Sequence, residues 1–135
     1  MRMRSRWTAV AAVVLAATTL PFGVQAGGGG CAINVTYVNK ESTQSKVDQE
    51  ESEVKSKQLG FWGSWASIGW ADGQLGVIKV PANGRKVKTY QLGFPCSYPR
   101  RYRFTVMNGG NRKTVYKPSS TGQTTKVNLT VNINF

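Results

Sequence analysis

The last ten residues of this chain alternate without a break. Val127, Leu129, Val131, Ile133 and Phe135 stand between Lys126, Asn128, Thr130, Asn132 and Asn134. Successive side chains of a strand point to opposite faces, so this period of two describes a half-buried β-strand; a helix would repeat its apolar positions every three or four residues. The same alternation places Cys31, Ile33, Val35 and Tyr37 on one face, and Tyr102, Phe104 and Val106 against Arg101, Arg103 and Thr105. Shorter runs at Leu75–Val80, Lys86–Phe94 and Arg112–Lys117 also read as strands. Between them lie the turn sequences Ala71-Asp72-Gly73, Pro81-Ala82-Asn83-Gly84 and Asn108-Gly109-Gly110-Asn111. Six or seven short strands with such turns define an all-β chain. The expected architecture is a small antiparallel β-sandwich, with an immunoglobulin-like arrangement among its forms. A final strand ending in Phe135 also suits an outer-membrane barrel, but such barrels need at least about eight strands of about ten residues. The sandwich is preferred.

Two segments break the rhythm. Residues 39–58 are polar, with only Val47 and Val54 apolar. Glu51 to Lys55 and Glu53 to Lys57 are favourable helical pairs, and Ser45 precedes Asp48 in the manner of a capping box. No apolar stripe would hold a helix down, so a polar loop is expected ahead of a short helix. Residues 59–70 are instead aromatic and glycine-rich, with Phe61, Trp62, Trp65 and Trp70. Large aromatics of a small domain usually supply its core, and core packing is the leading expectation for them. If the segment is one strand, Trp62, Ile68 and Trp70 share a face opposite Phe61 and Trp65. One or two aromatics would then remain exposed for stacking on sugar rings or nucleobases, or for a membrane interface.

The chain opens with Arg2, Arg4 and Arg6, an apolar run to Leu20, and the small-residue site Val24-Gln25-Ala26. That pattern is a cleaved secretory signal peptide, residues 1–26. It leaves one domain, residues 27–135, and a secreted or periplasmic location. Export makes Cys31 and Cys96 a disulfide. The loop it closes spans about 65 residues, worth roughly 4 kcal/mol on the chain-entropy account. A lipidated Cys31 fits poorly behind Gly28-Gly29-Gly30. Two distant thiols without a histidine are a poor zinc set.

Composition then bears on function. There is no histidine, so the commonest general base is absent. Five of the six carboxylates, Glu41, Asp48, Glu50, Glu51 and Glu53, fall in the polar segment, and the sixth is Asp72. Their spacing is not that of a calcium loop, and a solvated charge run is the simpler reading. A non-enzyme without cofactor or metal is expected.

After Asp72 no acid occurs, yet 11 basic residues do. A one-sign field of this kind draws in anions. The candidate basic face comprises Lys86, Lys88, Arg100, Arg101, Arg103, Arg112 and Lys113. Lys86 with Lys88, and Arg101 with Arg103, each share one face of a strand, and neighbouring strands would make them a plate. Trp62, Trp65 and Trp70 are the candidate aromatic contacts. The expected function is an exported basic binding module that docks on an acidic surface. Its partners would be an anionic envelope component, an acidic glycan or an acidic protein, with peripheral membrane contact as an addition and nucleic acid ranked lower. Two alternatives stand beside it: a membrane-active toxin or antimicrobial protein using the Trp cluster and basic face, and a subunit of an extracellular or envelope assembly joined through a bare strand edge.

Overall fold

The computed structural model describes residues 30–118 and 126–135. The signal-peptide reading falls on residues 1–26, outside the described residues. The elements in chain order are β1 (Cys31–Asn39), β2 (Ser45–Gln58), β3 (Phe61–Trp62), β4 (Ala66–Ser67), α1 (Ile68–Asp72), β5 (Val77–Val80), β6 (Arg85–Leu92), β7 (Arg100–Asn108), β8 (Asn111–Pro118) and β9 (Lys126–Ile133). Seven of the described strands have four or more residues, and two are two-residue pieces. The all-β reading therefore holds, with one short helix added.

Two sheets share one core. The smaller has the order β6-β1-β9; the larger runs β3-β2-β7-β8, with β4 and β5 also pairing β2. Every pairing is antiparallel except β1 with β9, which run parallel in the register Ile33↔Val127 to Asn39↔Ile133. Parallel neighbours cannot be joined by a tight hairpin. Here the whole larger sheet lies between them in sequence.

The inward faces follow the alternation read from sequence. Ile33, Val35 and Tyr37 of β1, Tyr102, Phe104 and Val106 of β7, and Val127, Val131 and Ile133 of β9 are buried in one cluster. Phe104 bridges the layers: its ring stacks on Tyr102 at 6.1 Å and meets the edge of Tyr37 at 5.8 Å. The Cys31–Cys96 disulfide closes one end of this core. The hydroxyls of Tyr37 and Tyr90 hydrogen-bond each other at 2.9 Å inside it. Burial raises the Tyr37 hydroxyl well above the ordinary tyrosine range. It also pushes Tyr90 up to about 12; the bond to Tyr37 lowers Tyr90 and the nearby Asp72 carboxylate raises it.

Residues 45–58 correct the expectation of a polar loop or short helix over 39–58. They form the longest strand of the larger sheet, and the loop shrinks to the turn before it. The inward positions explain the misreading. Ser45, Val47 and Gln49 are buried, and then Ser52 and Val54 are buried. The parity changes because a bulge interrupts the pairing with β7 between Asp48 and Glu53. Polar side chains build that bulge. Asp48 Oδ1 accepts the N–H groups of Glu50 and Glu51, Ser52 Oγ donates to the Asp48 carbonyl, and Ser52 Oγ accepts from Thr105 N–H. Buried Asn39 secures the preceding turn, accepting from Glu41 N–H and Ser45 Oγ while donating to Thr43, Val80 and Pro81 carbonyls.

The aromatic segment is not one strand. It makes the edge pieces β3 and β4 on β2, then turns into α1. Ser67 caps that helix by accepting from Trp70 N–H, and Gly73 ends it at φ 74°. Asp72 then ties the helix to β6, accepting from Gln91 N–H at 2.6 Å and pairing with Lys88 at 3.3 Å.

Candidate binding face

The outward face of the larger sheet carries the site. On β7 the outward residues are Arg101, Arg103, Thr105 and Met107, because Tyr102, Phe104 and Val106 face the core. The register sets Lys55 of β2 opposite Arg101 and Glu53 opposite Arg103, and sets Tyr116 of β8 on the other side of Arg103. Trp62 and Trp65 start from the far edge of β2, where β3 and β4 pair with it. Their rings nevertheless meet side chains of β7, so the indoles lie across β2.

The result is an interleaved stack. The Arg101 guanidinium sits 4.2 Å from the Trp62 ring centroid, and Arg103 sits 4.1 Å from that of Trp65. Lys55 Nζ reaches both rings, at 4.7 Å from Trp65 and 5.7 Å from Trp62, and Lys57 lies 5.8 Å from Trp62. Four cations thus converge on two indoles. A cation over an indole face is attracted by the ring quadrupole, worth about 0.5–1 kcal/mol at exposed sites. These contacts hold like charges side by side that would otherwise splay apart. One acid enters the stack: Glu53 receives Arg103 Nε at 2.7 Å. Among the described residues, Lys55, Lys57 and Arg101 have no carboxylate partner. This end of the face therefore keeps a net positive charge.

The remaining candidates scatter. Arg112 is on the same outer face but lies toward the bulge, where it pairs with Glu51 and with Asp48 at 3.8 Å. Lys113 points the other way, donating to the Asn134 carbonyl with its Nζ 5.3 Å from the Phe135 ring. Lys86 and Lys88 do not form a plate with Arg101 and Arg103, because β6 and β7 belong to different sheets. Lys88 also leans on Asp72 and on the Tyr90 ring at 4.8 Å.

Arg100 is corrected outright. It is only 1% exposed, the largest fully buried side chain of the protein's described part. Its parity is that of Tyr102, so it turns inward. Its Nε donates to Tyr102 Oη at 2.7 Å, and one terminal nitrogen donates to the Pro95 carbonyl at 2.8 Å.

The expectation of core-packed tryptophans is corrected as well. None of Trp62, Trp65 and Trp70 belongs to the core cluster. Trp62 and Trp65 are half-buried under their cations. Trp70 sits apart on α1 at 66% exposure, and no cation among the described residues lies over its ring. Tyrosines, Phe104 and aliphatic residues fill the core instead.

Sequence reasoning missed Lys55 and Lys57, which lay in the segment read as a loop, and Tyr116. The signal for the lysines was their two-residue spacing on either side of Ser56, visible only once that segment is a strand.

Scanned against protein-family models, curated proteins and solved structures, the chain matches none of them. The disulfide is compatible with an oxidising or extracellular compartment, and no helix among the described residues is long and apolar enough to cross a membrane.

Proposed function

We propose that this protein is an exported, non-catalytic binding module that docks on an acidic surface through the Trp62–Trp65 stack and its cations. The observation that carries this reading is the convergence of Lys55, Lys57, Arg101 and Arg103 on two indole rings with only Glu53 to offset them. Trp62 holds the Arg101 guanidinium in place while its N–H edge stays open, which suits the oxygens of phosphate, sulfate or carboxylate groups; the Arg103 fork is engaged by Glu53. The sheet beneath supplies rigidity, so little side-chain freedom is lost on contact. The acids support the same reading: Asp48, Glu51, Glu53 and Asp72 are engaged by cations of the fold. The module would act in the periplasm or outside the cell, against an anionic envelope component.

Retention on immobilised dextran sulfate tests this. The Lys55→Glu/Arg101→Glu double variant should elute at much lower salt than the parent. A control with the same charge change on the smaller sheet, Arg85→Glu/Lys86→Glu, should elute close to the parent. Equal losses in both variants would mean that net charge, and not this face, does the binding. Exposed charges are screened beyond about 8 Å at physiological salt, so the steepest difference is expected at low ionic strength.

A further inference from the structure

The stack ends at a finger. β2 and β3 are joined by a two-residue turn, Leu59-Gly60, with φ 53° at Leu59 and 83° at Gly60. Two consecutive positive φ angles are those of the tight hairpin turn that favours Asn-Gly. A leucine in this region is sterically disfavoured, and yet it occupies the tip. It is 96% exposed, and Phe61 beside it is 78% exposed. No described side chain covers either of them.

The order of residues down this finger follows a depth profile. Leu59 and Gly60 form the tip, Phe61 pairs with Gln58 one step below, and Trp62 pairs with Lys57 one step further. Lys55 and Arg101 follow, opposite each other on β2 and β7. With about 3.3 Å of rise per residue, Lys57 lies roughly 7 Å below Leu59. The interfacial layer on each side of a bilayer is about 5–8 Å thick, the difference between its total and hydrocarbon thickness halved. Leu59 and Phe61 at the hydrocarbon boundary would thus set Trp62 in the interface and Lys57 among headgroup phosphates, with Lys55 and Arg101, roughly 7 Å further from the tip, facing the charged bilayer surface from outside it. Aromatic residues favour that interfacial level, and basic residues favour an anionic surface.

We infer that the acidic surface is an anionic lipid bilayer, into which the Leu59–Phe61 finger inserts while Lys57 meets lipid phosphates and Lys55 and Arg101 are drawn to the negative surface. The inference rests on the docking reading above and adds the partner and the inserting element. Charge complementarity alone would suit an acidic glycan equally. The uncovered apolar tip does not, because a hydrated polysaccharide offers it nothing to bury against.

The experiment uses protein purified from an exporting host, vesicles of phosphatidylglycerol with phosphatidylcholine, vesicles of phosphatidylcholine alone, and dextran sulfate resin. Partition is read by co-sedimentation and by the blue shift of tryptophan emission. The key variant is Leu59→Asn/Phe61→Ser, in which Asn suits the turn's backbone and neither change touches the core. The parent should partition to the anionic vesicles and not to the neutral ones. The tip variant should lose about tenfold or more in vesicle partition, since binding scales with buried apolar area, and should keep its retention on dextran sulfate. Lys55→Glu/Arg101→Glu should lose both. Unchanged vesicle partition of the tip variant overturns insertion while the docking reading stands, as does a parent that binds dextran sulfate and no vesicle. Equal partition to neutral vesicles overturns the role of the cations in selecting an anionic bilayer. A parent that binds neither resin nor vesicle removes both proposals.

Discussion

Alkali should destabilise this protein through Tyr37 and Tyr90. Their hydroxyls are buried and bonded to each other at 2.9 Å. Both are raised above the ordinary value of 10.0, Tyr90 to about 12. In the unfolded chain a tyrosine releases its proton near about pH 10. Between that pH and the folded value, the unfolded state binds fewer protons than the native state, so stability falls as pH rises. Below about pH 10 both states are protonated and the contribution is fully present. For Tyr90 alone the loss is about 1 kcal/mol near pH 11 and tends to roughly 3 kcal/mol at still higher pH, from a displacement of about two pH units. Tyr37 adds to it with the same sign. The comparison is with Tyr37→Phe/Tyr90→Phe, which removes both hydroxyls at once and leaves neither partner unpaired. Such a paired removal is nearly neutral at pH 8. Urea unfolding followed by tryptophan emission, from pH 8 to pH 11.5, should show the parent declining more steeply than the double variant. Parallel curves would refute the reasoning, because every other titrating group is common to the two proteins.

Three further outcomes are expected. Reducing the Cys31–Cys96 bridge, which spans a sequence separation of 65, should lower unfolding stability by about 4 kcal/mol; a urea midpoint unmoved by reductant would contradict it. Gly69→Ala should destabilise by about 1–3 kcal/mol or more, because a Cβ there would come 2.7 Å from the Gln74 carbonyl oxygen and 2.9 Å from that of Gln49; thermal melts check this. A double-mutant cycle of Trp65→Leu and Arg103→Leu should give a coupling of about 0.5–1 kcal/mol, whereas a coupling indistinguishable from zero would make the stack an accident of packing.

The strands with unbroken alternation were legible from the residues alone. β1, β7 and β9 stand where Cys31–Tyr37, Tyr102–Val106 and Val127–Ile133 set them, and the Cys31–Cys96 pairing followed from cysteine count and presumed compartment. β2 was not legible, for two reasons. Its inward positions are partly Ser45, Gln49 and Ser52, which hide the apolar rhythm, and the bulge between Asp48 and Glu53 reverses the parity halfway. Val47 and Val54 then stand seven apart, a spacing that suits a helix face. Losing β2 also lost the site. Trp62 and Trp65 meet Arg101 and Arg103 only because a strand passes beneath the indoles. Arg100 was within reach of sequence reasoning, since it shares parity with Tyr102; grouping it with its charged neighbours overrode the pleat.

The parallel union of β1 with β9 also governs when the molecule can be finished. As the chain is made or threaded outward from its start, β1 can find β6 early, and Cys31 can meet Cys96 soon afterwards. The other flank of β1 stays bare until β9 arrives, since among the described residues no other strand is its neighbour there. A contact between segments so distant along the chain slows assembly. The half-built sheet therefore waits with an open rim, and the arrival of β9 is what ends the wait.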